Sequence, residues 1–242
     1  MAAAVITGVA HGNIGHAVAT RLAQEGMGLV ITDMHDGVKE VALQLTRDHG
    51  VECHAMTGDL GQEKFRQELF AMAFSKFTDM RFLVNCAAIS RPTKPLDITV
   101  DEWRAVYMIN TETTFFCCQS FIRALLAQDK PGAIVNLSSI AGHSGGVNNG
   151  IHYGSSKAAI MAMTRGLARA FGKNGIRINC VAPGVIDTAM ARAVPGSDDR
   201  VKASPLGRWG ESAEVADTIA YLLSEQASYV TGQTMDVNGG MT

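Results

Sequence analysis

Three things are scarce in this 242-residue chain, and each scarcity excludes a class of protein. The five cysteines, at 53, 86, 117, 118 and 180, are odd in number, scattered, and never spaced Cys-x-x-Cys. That speaks against a disulfide framework or a thiolate metal site, and for a reducing cytoplasm. An excess of one charge sign is also missing: the formal net charge is −2. No electrostatic reason exists to expect nucleic acid or an anionic membrane as a partner. Nor does any apolar run approach the length of a bilayer span. The chain moves straight into Ala2–Ile6 without a basic region or cleavage signal. No internal repeat, low-complexity tract or linker interrupts it. The expectation is a soluble, cytoplasmic globule, with 47% hydrophobic and 18% charged residues providing for a large core.

What is present is an alternation. Short apolar, β-prone runs (Ala3–Thr7, Gly28–Thr32, Val51–Met56, Arg81–Ala87, Ala133–Ser138, Arg177–Val181, Gln233–Val237) are separated by segments of helical period. Ile14, Val18 and Leu22 share one helical face, as do Val38, Val41 and Leu45. Thr99-Val100-Asp101-Glu102 fits a capping box opening a long helix to about Gln128, a second helix runs from about Tyr153 to Lys173, and Ser212 caps the last one. Strands buried on both faces and joined by helices imply a parallel sheet. The predicted fold is α/β, a doubly wound, Rossmann-type sheet forming a single domain over residues 1–242.

In such sheets ligands bind at the carboxyl ends of the strands. The chemistry-bearing residues fall there: Gly8, Asp33, Asp59, Asn85 to Ala88, Ser139, then Pro183 and Gly184. The turn Thr7-Gly8-Val9-Ala10-His11-Gly12-Asn13-Ile14-Gly15 follows a strand and opens a helix, a setting in which backbone amides approach a pyrophosphate. Asp33, about 20 residues on, is placed to accept from ribose hydroxyls, with Asp36 the competitor for capping the next turn. A 2′-phosphate beside Asp33 would meet repulsion of up to ~4 kcal/mol at an effective dielectric of ~20, and no Arg or Lys stands at 9–16 or 33–37 to offset it. NAD is therefore expected over NADP. Downstream, Tyr153 and Lys157 stand one helical turn apart, where an ammonium favours the phenolate and suits the tyrosine to general acid/base work. A Tyr-x-x-x-Lys pair alone is weak evidence, since most such pairs are solvated surface residues.

Taken together, the four motifs in order resemble the short-chain dehydrogenase/reductase family in its shorter single-domain branch, from the Thr-Gly turn to Asp236-Val237-Asn238-Gly239-Gly240. The resemblance implies Asn110, Ser139, Tyr153 and Lys157 as a catalytic tetrad, with Ser138 the neighbouring alternative. It implies cofactor contacts from Gly8, Gly12, Asn13, Ile14, Asp33, Asp59, Leu60, Asn85, Ala87, Tyr153, Lys157, Pro183, Gly184, Ile186 and Thr188. Asn110 would hold a water beside Lys157, and Asp59 the adenine amino group. A homotetramer built through the two long helices is implied as well. Three departures stand out: an extra residue in the glycine turn at Asn13, Asn-Cys-Ala-Ala at 85–88 where Asn-Asn-Ala-Gly is usual, and a longer stretch 140–152.

The implied reaction interconverts a secondary alcohol and a ketone by hydride transfer to or from NAD, without a metal. The Pro/Gly-interrupted segment 189–207 reads as a substrate lid. His143, Asn148, Asn149 and His152 lean towards a small hydroxylated substrate, a polyol or sugar, while Arg91, which could meet a carboxylate, is better read as a surface residue. The alternatives are a 3-oxoacyl thioester (carrier-protein) reductase, against which Asp33 argues, and a non-catalytic dinucleotide sensor, against which the intact tetrad argues.

Overall fold

The computed structural model describes residues Met1–Thr242. Seven parallel strands form one sheet: β1 (Ala3–Thr7), β2 (Gly28–Asp33), β3 (Cys53–Thr57), β4 (Met80–Asn85), β5 (Gly132–Leu137), β6 (Ile176–Pro183) and β7 (Thr234–Val237). Their spatial order is β3-β2-β1-β4-β5-β6-β7. The order reverses between β1 and β4, the switch point beside which a doubly wound sheet opens its binding crevice. No helix is long and apolar enough to cross a membrane.

Alternation along each strand builds the two faces. Ala4, Ile6, Leu29, Ile31 and Val84 project into one core, where α1 (Ile14–Gln24) and α2 (Gly37–His49) contribute Val18, Leu22, Val41 and Leu45. The helix α10 (Ser212–Leu223) adds Val215 and Ile219 to the same core. Ala3, Val5, Val30 and Leu83 project the other way, towards Leu69 and Phe70 of α3 (Glu63–Lys76). Phe121 and Leu125 of α5 (Thr113–Ala127) complete that face.

The predicted long helix is divided. It begins as α4 (Val100–Tyr107), widens to a π-helical turn over Met108–Glu112, and resumes as α5. Thr99 caps it by accepting from the Glu102 amide, but the Glu102 carboxylate turns away to Thr93 and His152, so the box is half formed. Ser212 is not the cap of α10. Glu211, in extended conformation, makes the reciprocal pair with Glu214, and the Ser212 hydroxyl is buried without a partner. The helix carrying Tyr153, α7 (Ile151–Phe171), starts two residues earlier than predicted. Two short helices, α8 (Ala189–Arg192) and α9 (Ser197–Ala203), follow β6, and α6 (Ala141–Ser144) follows β5.

Phe121 is fully buried and packs near Phe70 and Phe74. Phe121→Ala is expected to lower stability by about 3–5 kcal/mol, read as a fall in the urea midpoint at unchanged slope.

Candidate active site

The carboxyl ends of the strands open into one cleft of about 450 Å³. The glycine turn forms one end. Gly8 has φ +71°, and a Cβ there would lie 2.6 Å from the Ala87 backbone, so only glycine lets β1 and the end of β4 approach this closely. The extra residue in the turn is the helix cap: the Asn13 side chain accepts from the His16 amide at 2.8 Å and donates to the Gly8 carbonyl at 2.9 Å. Gly12, at φ +73°, faces open space in the cleft wall. Asp33 lines the cleft at the end of β2, its carboxylate accepting from the His35 amide at 3.0 Å. Asp36 makes no side-chain cap on α2 and instead bonds Thr57 and Lys39 at the surface.

Asp59, Leu60, Ala87 and Ala88 continue the wall. The Asp59 carboxylate accepts from the Gly61 amide. Asn85 does not line the cleft as expected. Its amide points into the sheet and donates to Asn136 at 2.9 Å; the strand ends there, the alternation breaks, and both Cys86 and Ala87 beyond it line the cleft. Asn136 in turn donates to Thr164, so the buried amides of β4 and β5 tie the sheet to α7.

At the other end the two serines divide their work. Ser138 donates to the Lys157 carbonyl at 2.8 Å and is buried. Ser139 lines the cleft, accepts from the Ala141 amide, and interacts with the Tyr153 phenol. Lys157, fully buried, donates to the Leu137 carbonyl at 2.9 Å and lies 5.7 Å from the centroid of the Tyr153 ring. Asn110 sits within the π-helical turn, but its side chain reaches neither Lys157 nor the cleft. It donates to the Ile89 carbonyl and to Ser156 and accepts from the Ile89 amide, so both N–H groups hold the loop after β4 against α7. Pro183, Gly184, Ile186 and Thr188 line the same cleft as Tyr153. Thr188 also caps α8, which releases Asp187 to pair with Arg192 rather than cap the helix. Asn179 bridges the Val230 carbonyl and the Gln233 amide, a purely structural bond pair.

The polar residues that pointed to a polyol disperse. His143 pairs with Asp236 at the surface, Asn148 is exposed, and His152 is buried against Glu102 and stacked on Trp103. Arg91 is exposed. Of that group only Asn149 lines the cleft. The wall instead carries Ile89, Ile140, Val185, Met190 and Val194, with Arg200 from α9. These residues escape sequence reading because their loops have no period. Segment 189–207 carries Arg192, Arg200 and Lys202 beside Asp198 and Asp199, so nothing in the sequence singles Arg200 out.

Rossmann-type oxidoreductases are the class that pairs such a crevice with a tyrosine and lysine at its far end. A family model described as enoyl-(acyl carrier protein) reductase matches residues 8–242. The 3-oxoacyl-[acyl-carrier-protein] reductase of Aquifex aeolicus is 34% identical over 98% of this chain and 96% of its own length. The (3R)-3-hydroxyacyl-CoA dehydrogenase of Mus musculus is also 34% identical, with 99% and 96% covered. A cis-4-hydroxycyclohexanecarboxylate dehydrogenase of Sinomonas cyclohexanicum is 37% identical, again with 99% and 96% covered. The crystal structure of 3-oxoacyl-[acyl-carrier protein] reductase from Brucella melitensis superimposes with a TM-score of 0.91 at 31% identity, covering 99% of this chain and 90% of the other. The chain belongs to the short-chain dehydrogenase/reductase family, whose members use nicotinamide dinucleotides.

Burial dominates the electrostatics. It raises the Tyr153 phenol above its ordinary value, with interaction from Ser139 pulling it partly back. It lowers the Lys157 ammonium to about 8, against a smaller opposing pull from Cys180 and Cys86. The pairing expected to depress the tyrosine does not appear among the causes of either shift; desolvation governs both groups in the chain alone. For Lys157 the folded state sheds its proton near pH 8 and the unfolded chain near 10.5. The unfolded state binds more protons between those values, so stability rises with pH across that window. Relative to Lys157→Met, the wild type should gain about 2 kcal/mol between pH 7 and pH 10. Paired urea melts at both pH values measure the gain, and a difference independent of pH would show Lys157 to be charged throughout.

Proposed function

We propose that the chain is an NAD-dependent oxidoreductase that interconverts a secondary hydroxyl and a ketone on an acyl or alicyclic compound with an apolar body. One observation carries this reading: Ser139, Tyr153 and Lys157 meet at one end of a cleft whose other end is a glycine turn and an acid. The residues present fit a dinucleotide, since Gly8 and Gly12 leave room for close backbone approach and Asp33 offers a carboxylate beside them. Gly12, Asn13, Ile14, Asp33, Asp59, Leu60 and Ala87 would hold its adenosine and phosphates, and Pro183, Gly184, Ile186 and Thr188 its nicotinamide. When bound, the cofactor supplies the hydride chemistry.

The protein's own residues handle the proton and the oxygen. Tyr153 takes the hydroxyl proton in oxidation and returns it in reduction. Ser139 hydrogen-bonds the substrate oxygen and stabilises the charge that develops there. Lys157, anchored on the Leu137 carbonyl, keeps a positive charge near the phenol while protonated and would hold the nicotinamide ribose hydroxyls. Asn110 is a positioning residue that sets the loop after β4 against α7.

The apolar wall and the three acyl or alicyclic relatives support an acyl-type substrate over a polyol. Asp33 supports NAD, with no lysine or arginine beside it in the cleft wall. Segment 189–207, with α8 and α9, covers the substrate as a lid.

A spectrophotometric assay with 3-hydroxyacyl thioesters, 3-hydroxy acids and 4-hydroxycyclohexanecarboxylate tests the reading. Tyr153→Phe should lose about 10²–10⁴-fold in kcat while retaining NADH binding. Asp33→Ala should shift the NADP-to-NAD ratio of kcat/KM towards NADP by up to about a thousandfold, the equivalent of ~4 kcal/mol of relieved repulsion. A wild type that already prefers NADP would reject the assignment of Asp33.

A further inference from the structure

Arg200 is the one arginine in the cleft wall. It projects from α9, half-buried, in a stretch of wall that is otherwise mostly apolar: Ile140, Val185, Met190 and Val194. Of the other arginines that are not exposed, Arg21 and Arg81 pair with carboxylates, and Arg66 and Arg177 donate to backbone carbonyls. Arg200 has none within ion-pair distance. Its neighbours Asp198 and Asp199 are exposed, and Asp199 faces Lys202. Its one side-chain hydrogen bond, at the 3.5 Å limit, goes to the Asn149 carboxamide oxygen. Burial lowers its pKa, and no acid opposes that effect. A guanidinium stripped of part of its water and given no anion is costly to maintain unless something completes it.

Its place in the cleft says what that something is attached to. Asn149 belongs to the loop between Ser139 and Tyr153, and its carbonyl accepts from Ser90 just beyond β4. Both lie at the Tyr153 end, away from the glycine turn. The wall's lysine ammonium, Lys157, is already held by the Leu137 carbonyl. We propose that Arg200 binds a carboxylate on the substrate across the apolar wall from Tyr153, so that this chain takes a hydroxy or keto acid as the free acid rather than as a thioester. A planar guanidinium fork matches a carboxylate through two parallel hydrogen bonds, which explains an arginine here rather than a lysine. The inference rests on the reaction proposed above for its direction, but the binding of the acid can be measured without turnover.

Calorimetric titration of the NADH-loaded protein with cyclohexanecarboxylate, and with its methyl ester, separates the two. The wild type should bind the acid in preference to the ester. Arg200→Gln should weaken acid binding about 10–100-fold and Arg200→Lys should fall between, all three proteins keeping the same melting temperature within a few degrees. In turnover, the acid-to-ester ratio of kcat/KM should drop by the same factor in Arg200→Gln, mainly through KM. Equal acid binding by wild type and Arg200→Gln would overturn the proposal, as would a loss confined to a CoA thioester, which would assign the arginine to the carrier's phosphate. Acid binding that depends on Arg200 without oxidation of any hydroxy acid would leave this site standing and reject the reaction.

Discussion

A buried ammonium organises the reactive end of this molecule. Lys157 is enclosed by protein and reaches the Leu137 carbonyl at the end of β5. Ser138 answers from the same strand end by donating to the Lys157 carbonyl. Two bonds of opposite direction therefore lock one turn of α7 to one strand end. The positions of Ser139 on the strand side and Tyr153 on the helix side follow from that lock. Asn110, one turn into the π-helical segment, braces the same turn of α7 through Ser156. The extra residue of a π-turn is a local irregularity often kept at functional sites. Here it lets a helix-interior amide reach sideways to the loop after β4 instead of bonding along its own axis.

The same lock carries a cost, because burying a charge without a counter-charge disfavours it. Lys157 is pushed down and Tyr153 up, so in the chain alone neither is poised by the other. Removing the lysine would relieve the desolvation and, under the proposed function, lose the chemistry. A stability disadvantage concentrated at one position of a candidate active site is the trade expected there. The thiols around it, Cys86 and Cys180, are pushed up to about 12 and about 11 and stay neutral, so they act as packing.

The fold was legible in the sequence because each of its signals is local. Seven short apolar runs became seven strands, and the 3.6-residue spacing of Val38, Val41 and Leu45 became the inner face of α2. Glycine at 8 was legible for the same reason: a strand-to-helix turn restricts which residues fit. Side-chain direction at the strand ends was less legible. Asn85 and Ala87 are two residues apart, yet one faces the sheet and the other the cleft, because the strand ends at Asn85 and the alternation breaks there. His152 illustrates another limit. It neighbours Tyr153 in sequence, but a helical step of about 100° turns it away from the cleft and onto Glu102 and Trp103. The polyol reading failed on that rotation, since nearness along the chain had stood in for nearness in the pocket.

Specificity in this architecture rests on the part of the chain with the weakest sequence signal. In the proposed function the sheet and its glycine turn would hold the dinucleotide, and the β5–α7 lock would set where a proton is exchanged. Neither describes the rest of the substrate. That falls to α8, α9 and the loop before Tyr153, short elements whose packing is tertiary. Within them, apolar side chains remove water from the space around the reacting carbon, which strengthens any charge interaction that remains. A single guanidinium is then worth more as a discriminator than it would be at the surface. Under the function proposed above, a wall that disfavours a many-hydroxyl substrate would make one anionic group decisive, and a largely apolar wall with one arginine lacking a carboxylate partner would suit an acid with a hydrocarbon body better than a sugar.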